Sequence, residues 1–306
     1  MRPDTKTAPR RSGAPSEAAL RRTARRAITG SARLWEASPL LYIMLIFTIV
    51  LSVFPLYWMF VVATRTNEVV GAVPPPFIAG QQLGDNVGRV FENEQANFAR
   101  ALINSTIASA VVALSTVFFC SLAGFAFAKL RFRGRNALLL FVVATMMVPV
   151  QMGIIPLYML MVELGWTGTL QAVIVPFLVT GFGVFMMRQY ASQAIPDELI
   201  EAARVDGATT FRIFWSVVGP ALRPAASVLA LFTFMQTWNE FIWPRAVLNP
   251  DNPTVQYSLA LLNNAYSNDY TLMFAGTVVA TVPLFIVFVV FGRQIIGGIM
   301  EGALKA

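Results

Sequence analysis

The sequence predicts an all-α integral membrane protein of six transmembrane helices with both termini in the cytosol. Composition, the length of the apolar runs and the placement of the basic residues carry that prediction. Of 306 residues, 56% are hydrophobic and only 13% are charged, whereas a soluble domain carries about a quarter charged. Apolar runs near the spanning length of about 20 residues cover roughly residues 40–63, 101–128, 137–161, 170–187, 224–243 and 271–291. With these as spans, 19 of the 23 Lys and Arg fall on one side, leaving Arg65, Arg89, Arg100 and Arg245 on the other. The basic side is the cytosol by the positive-inside rule, and it holds both ends.

Taken in order, residues 1–37 form a tail with nine Lys and Arg among Pro, Ser, Ala and Thr, expected to be disordered or loosely amphipathic. The tail lacks the compact pattern of a secretory signal, so the first apolar run is expected to remain as an uncleaved anchor. Residues 38–306 are read as one transmembrane domain. Pro55, Gly124, Pro149, Pro156, Pro176 and Pro283 fall inside the runs and are tolerable where neighbours satisfy the freed backbone. The non-cytosolic segments, residues 66–98 and 244–270, suit a lid or docking rim. Trp58, Trp166, Trp238 and Trp243 fall near the outer ends, as an aromatic belt requires. One cysteine, Cys120, and no histidine leave no internal disulfide and none of the usual zinc ligand sets. The basic balance sits at membrane boundaries, so it does not indicate nucleic-acid binding.

The polar break at residues 196–220 carries the most chemistry. Pro196 suits a first helical residue, and Asp197 and Glu198 place negative charge where the helix dipole favours it. A helix to about Val205 sets Leu199, Ala202 and Ala203 on one face and Asp197, Glu201 and Arg204 on another. Gly207 supplies a left-handed stop beside Asp206. A second short helix, ending at Pro220, carries Phe211, Phe214, Trp215 and Val218 at helical spacing. As a connector, its aromatic stripe packs beneath the bundle; as a docking element, Glu201, Ala202, Ala203, Asp206, Gly207 and Ala208 meet a partner.

The run Glu201-Ala-Ala-Arg-Val-Asp-Gly-Ala, followed by Ile213-Phe214-Trp215, Pro220 and Pro224, resembles the coupling loop of binding-protein-dependent ABC importer permeases. Phe54-Pro55-Leu56-Tyr57-Trp58, Asn104-Ser105, the stretch from Trp238 to Pro244 and the end from Gly298 to Lys305 resemble the carbohydrate, maltose-type branch. Together they cover nearly everything after residue 40. Gly219 departs from the family's usual leucine, which implies looser packing of the second helix. The resemblance implies the shorter, six-span permease of the type I importer fold, with Glu201, Ala202, Ala203, Asp206, Gly207, Ala208, Phe211 and Phe214 coupling it to a cytosolic ABC ATPase dimer. A second homologous permease, an extracytoplasmic solute-binding protein and a sugar complete the implied partners, with the cell membrane as location. The chain itself binds no cofactor: it lacks the Gly-x-x-x-x-Gly-Lys-Ser/Thr phosphate loop, so ATP and Mg belong to the partner ATPase. Membrane lipid is a further expected contact of the basic tail.

For the transport path, Glu240 in an apolar stretch is expected to face the bundle, a water-filled cavity or the outer interface. One reading makes it a gate residue between Trp238 and Trp243, whose rings stack on sugar. The other makes it a structural hydrogen bond or interfacial anchor. Asn104, Gln151 and Asn239 are candidates for hydroxyl contacts, or equally for interhelical bonds. Two alternatives remain open: an importer of another polar solute (a polyol, a glycerol phosphate ester or a peptide) and a secondary transporter without an ATPase. The first would favour Lys or Arg along the path for charged solutes. The second needs a buried ion relay, for which Glu240 alone stands.

Overall fold

A computed structural model describes residues 38–263 and 269–303, with side chains to residue 292; the basic tail and the side chains of the C-terminal run lie outside it. The described chain is helical. In order come α1 (Pro39–Ala63), α2 (Asn67–Val70), α3 (Leu83–Glu92), α4 (Phe98–Lys129), α5 (Arg135–Thr145), α6 (Ile154–Glu163), α7 (Leu170–Ile174), α8 (Gly181–Ala194), α9 (Asp197–Val205), α10 (Thr210–Ile213), α11 (Gly219–Trp238), α12 (Ile242–Val247), α13 (Val255–Leu261) and α14 (Tyr270–Ala303). Among the described residues, five stretches are long and apolar enough to cross a membrane, and a sixth is formed if α5 and the segment Val150–Glu163 count as one span.

The chain divides into two units, Met1–Tyr57 and Trp58–Ala306. In the first, the apolar side chains of α1 from Leu40 to Tyr57 are exposed. In the second, α4 contributes to three buried clusters. Phe98 and Ala101 join Trp238 and Leu262, Ala108 joins Met161, Val173 and Trp243, and Cys120 and Phe125 join Met187, Ile200, Ile213 and Phe214. Lipid tails are as apolar as leucine, so close packing and hydrogen bonds must hold these helices together. Gly124 and Gly183 allow that approach: a Cβ on Gly124 would sit 2.7 Å from backbone atoms of Met187 and Arg188, and one on Gly183 would sit 2.7 Å from Cys120 Sγ.

Three expected spans differ in course. The third is not straight: α5 and the segment beginning at Val150 meet at 90°. Pro149 cannot donate to the helix, and it biases Val148 away from helical geometry. The fourth begins at Leu170 as expected but passes through a 3₁₀ turn at Val175–Phe177 and restarts at Gly181. Pro176 removes a donor there, and Thr180 caps the restart by accepting from Gly183 N at 3.1 Å. Thr116 Oγ1 on α4 donates to the carbonyl oxygen of Phe177 at 3.3 Å.

The fifth starts earlier and ends sooner than expected. Helix runs from Thr210 to Trp238, then breaks before α12. The second loop helix therefore does not end at Pro220. A π-helical turn at Phe214–Val218 carries it into α11, with Gly219 N bonded to Phe214 O. The wider turn moves the preceding carbonyls out of the path of the Pro220 ring. Gly219 fits it, because a Cβ there would press on Phe214 O at 3.2 Å. The departure from leucine is thus matched by a local backbone geometry.

Candidate functional site

The element between α8 and α11 is built on a buried base. Ile200, Ile213 and Phe214 are each less than 5% exposed, and Phe214 packs on Phe125 of α4 with ring centroids 5.9 Å apart. Ala203 and Ala208 lie against the same cluster. The inward face of α9 is therefore Ile200 and Ala203, and Leu199 and Ala202 point outward, so the small-residue face expected from spacing is split. Pro196 also sits one position earlier than expected: with ψ 144 it is the cap, and Asp197 is the first helical residue.

Gly207 ends α9 at φ +78. Its N–H donates to Arg204 O at 3.0 Å and that of Ala208 donates to Ala203 O at 2.9 Å, which is the paired bonding of a Schellman stop. Thr209 then caps α10, its Oγ1 accepting from Arg212 N at 3.3 Å. The two turns hold α9 and α10 in a defined relation and leave Leu199 (52%), Val205 (88%), Phe211 (62%) and Trp215 (54%) exposed, along with Glu201, Ala202, Asp206 and Gly207. The aromatic stripe divides. Phe214 packs beneath the bundle, Trp215 lies over it at 5.4 Å and stacks on Phe118 of α4 at 6.3 Å, and Phe211 stands furthest out, in edge contact with Trp215 at 6.0 Å.

An ion pair that spacing does not reveal ties this element to the second span. Lys129 Nζ, at the end of α4, lies 2.7 Å from Asp197 Oδ1, with only 6% of the lysine side chain exposed. The hydrogen bond from Lys129, and then its charge, hold the Asp197 carboxyl below its ordinary value of 3.8; slight burial opposes this and Arg131 adds to it. A depressed folded value means that the pair stabilises the element above pH 3.8 and that the contribution fades as pH falls through the lower folded value. Melting followed downward from pH 5 should therefore show a steeper loss for the native chain than for Asp197→Asn. Parallel curves would remove the pair from the account.

The expected transport-path residues are mostly engaged in structure. Trp238 is 1% exposed and donates its indole N–H to Ala280 O at 3.2 Å. Trp243 is 4% exposed and donates to Ala172 O at 2.9 Å. That carbonyl is the one Pro176 leaves without its helical donor, so Trp243 completes a broken span. Neither ring is free to stack on a solute in this structure, and neither takes part in an exposed belt. Glu240, just before the α12 cap residue Phe241, accepts from Trp243 N in the first turn at 3.1 Å. Asn104 is buried and donates to Asn252 Oδ1 at 2.9 Å and Pro253 O at 2.8 Å. Asn252, which sequence reasoning did not single out, also donates to Gly168 O at 3.0 Å, so it joins α4, the 244–270 segment and the turn before α7. Asn239 donates to Met235 O at 2.8 Å and stays exposed, as does Gln151 at the bend of the third span.

A second ion pair joins the 66–98 and 244–270 segments. Arg89 of α3 pairs with Asp269. Burial pushes the Asp269 carboxyl up, but hydrogen bonds from Thr271, Arg89 and Leu272, with the Arg89 charge, outweigh it and leave the group below its ordinary range.

A multi-pass helical bundle presenting a rigid, partly apolar turn between two spans defines a membrane-embedded transport subunit. The chain belongs to the family of binding-protein-dependent transport system inner membrane components, which matches residues 120–296. The arabinooligosaccharides transport system permease protein AraQ of Halalkalibacterium halodurans is 37% identical over 203 residues, 66% of this chain and 72% of that one. The lactose transport system permease protein LacG of Rhizobium radiobacter is 34% identical over 256 residues, 83% and 92%. The sn-glycerol-3-phosphate transport system permease protein UgpE of Yersinia enterocolitica is 27% identical over 269 residues, 85% and 95%. A chain of a bacterial ABC transporter involved in the import of the acidic polysaccharide alginate matches with a TM-score of 0.71 at 22% identity, covering 82% of this chain and 94% of that one. It has the same fold.

Proposed function

We propose that this chain is a permease subunit of an ATP-driven importer of sugars or oligosaccharides, that residues 196–220 dock on a separate cytosolic ATPase, and that both termini lie on that side. The single observation that carries the coupling is the exposed Leu199 and Val205 of α9, with Phe211 beyond the Gly207 turn, set over buried Ile200, Ile213 and Phe214. Leu199 and Val205 stand on α9, outside the candidate spans, and exposed apolar groups rimmed by polar ones mark partner sites. The sugar assignment draws on the transport names of AraQ and LacG. A second permease supplies the other half of the path, a binding protein delivers the solute, and ATP with Mg binds the ATPase. Rocking of the two permeases then follows from ATPase closure.

UgpE favours a second reading, a phosphate-bearing polyol ester, since at lower identity it covers slightly more of the chain than LacG does, 85% against 83%. Residues 95–187 carry no cation within their spans between Arg100 and Lys129 or between Arg135 and Arg188, which speaks for a neutral solute. Competition of candidate solutes for uptake by the reconstituted transporter decides between these readings.

For the docking surface, Phe211→Ala removes an anchor of the kind that contributes about 2 kcal/mol, roughly 30-fold in association. Co-purification of the ATPase and solute uptake should both drop, and Glu201→Lys should act in the same direction while the chain still inserts. Native ATPase retention and uptake in both variants would sink the coupling role.

A further inference from the structure

The turn joining α4 to α5 has a charge the proposed coupling does not use. Lys129, Arg131, Arg133 and Arg135 lie within seven residues, and no acid occurs between Glu94 and Glu163. Lys129 is engaged with Asp197. Arg131 and Arg133 are exposed and make no hydrogen bond or salt bridge among the described residues. Arg135 is half-buried, and its Nη1 donates to Leu130 O at 3.3 Å, which restrains the guanidinium.

These groups border a shallow cavity of about 440 Å³, wide open to its surroundings and lined by Arg131, Phe132, Gly134, Arg135, Asn136 and Ala137. Two guanidiniums on one cavity match the oxygens of a phosphate, which arginine binds in paired hydrogen bonds. Phe132 adds an apolar wall, 41% exposed, and its ring meets Phe127 of α4 at 5.9 Å. The cavity lies where one spanning stretch ends and the next begins, hence at a membrane–water boundary.

We propose that the cavity between Arg131 and Arg135 binds the headgroup phosphate of an anionic phospholipid. Free phosphate shares the charge chemistry, but it has no use for the exposed Phe132 ring or for a position at the lipid boundary. A lipid satisfies both, with phosphate on the guanidiniums and its glycerol and upper acyl region over the ring. Cation clusters immediately beside a spanning helix attract such lipids. The site rests on the chain's membrane placement and not on the ATPase reading, so either can fail alone. Its neighbour is the Lys129–Asp197 pair, which places a lipid phosphate beside the anchor of α9.

The test uses the purified full chain in detergent, with native mass spectrometry reading retained lipid. Phosphatidylglycerol should bind more tightly than phosphatidylcholine, and Arg131→Gln with Arg135→Gln should weaken phosphatidylglycerol about 30-fold, the worth of two near-surface cations. The double lysine variant should retain most of the binding, and Arg223→Gln should match the native chain. An unaltered melting curve confirms folding of the glutamine variant, and the lysine variant reports on the site even if that one fails to fold. Equal retention of both lipids by the native chain, or native phosphatidylglycerol binding by the glutamine variant, would overturn the proposal. So would displacement of the lipid by millimolar inorganic phosphate, which assigns the site to the free ion. Loss of ATPase co-purification with unchanged lipid binding would overturn it too, by assigning the cations to a protein partner.

Discussion

Gly207→Val is expected to abolish most solute uptake in a chain that still inserts and assembles its spans. The residue stands at φ +78 and nothing lies within 4 Å of the position a Cβ would take, so the effect is backbone strain and not collision. A non-glycine residue held in the left-handed region costs about 1–2 kcal/mol, and a β-branched one is the least tolerated there. Released from φ +78, the chain loses the Gly207–Arg204 and Ala208–Ala203 bonds, and Leu199 on α9 no longer keeps its relation to Phe211 on α10. A strain of that size shifts the population of the docking-competent turn about 5- to 30-fold. Gly207→Asn should be milder and Gly207→Ala intermediate, because asparagine accepts the left-handed region more readily than alanine. Uptake and ATPase stimulation measured together in proteoliposomes read the result, with ATPase activity escaping solute control. Native coupling in the valine variant would show that the turn's geometry is not needed for docking.

The second large effect is structural. Gly124→Ala is expected to lower thermal stability by about 1–3 kcal/mol, the range of overpacking in a close-packed interior. The added carbon would meet Arg188 N, Met187 C and Met187 Cβ, all at 2.7 Å. Two of those are main-chain atoms, and none is the far end of a flexible side chain, so α4 and α8 must part. Gly183→Ala gives a useful contrast, since its nearest obstacle is Cys120 Sγ at 2.7 Å. Adding Cys120→Ala should recover part of the loss at Gly183 and none at Gly124. Melting of the detergent-purified chain separates the two cases, and a native melting temperature for Gly124→Ala would show that α4 and α8 do not depend on close approach at this crossing.

Both glycines were visible as letters, but only Gly207 was legible as a role. Its neighbours Asp206 and Ala208, and the helical pattern before them, are local, and a helix stop is a local event. Gly124 reads from sequence only as a residue tolerable inside a span, because its partners Met187 and Arg188 lie over sixty positions away. The same distance hid Lys129, whose partner Asp197 was read for its helix dipole. Phe211 and Phe214 shared one expectation and separated in the fold. Position in a stripe sets the face of a helix, but whether that face meets Phe125 or solvent depends on how α10 leans on α4.

The membrane class, the spans as apolar stretches and the turn at residues 201–208 are legible in the amino-acid order alone. These follow from segment length, charge placement and short-range backbone preference, each readable within about twenty residues. The same order also carries the family, through spaced identities that need no coordinates. Only the tertiary structure decided where spans three, four and five break, because a broken helix survives only if its orphaned groups find donors elsewhere. Trp243 supplies one to Ala172 across the Pro176 break, so an indole that spacing offers to a solute is spent within the bundle. A carbonyl freed by proline is a local fact, and the donor that satisfies it is chosen by packing.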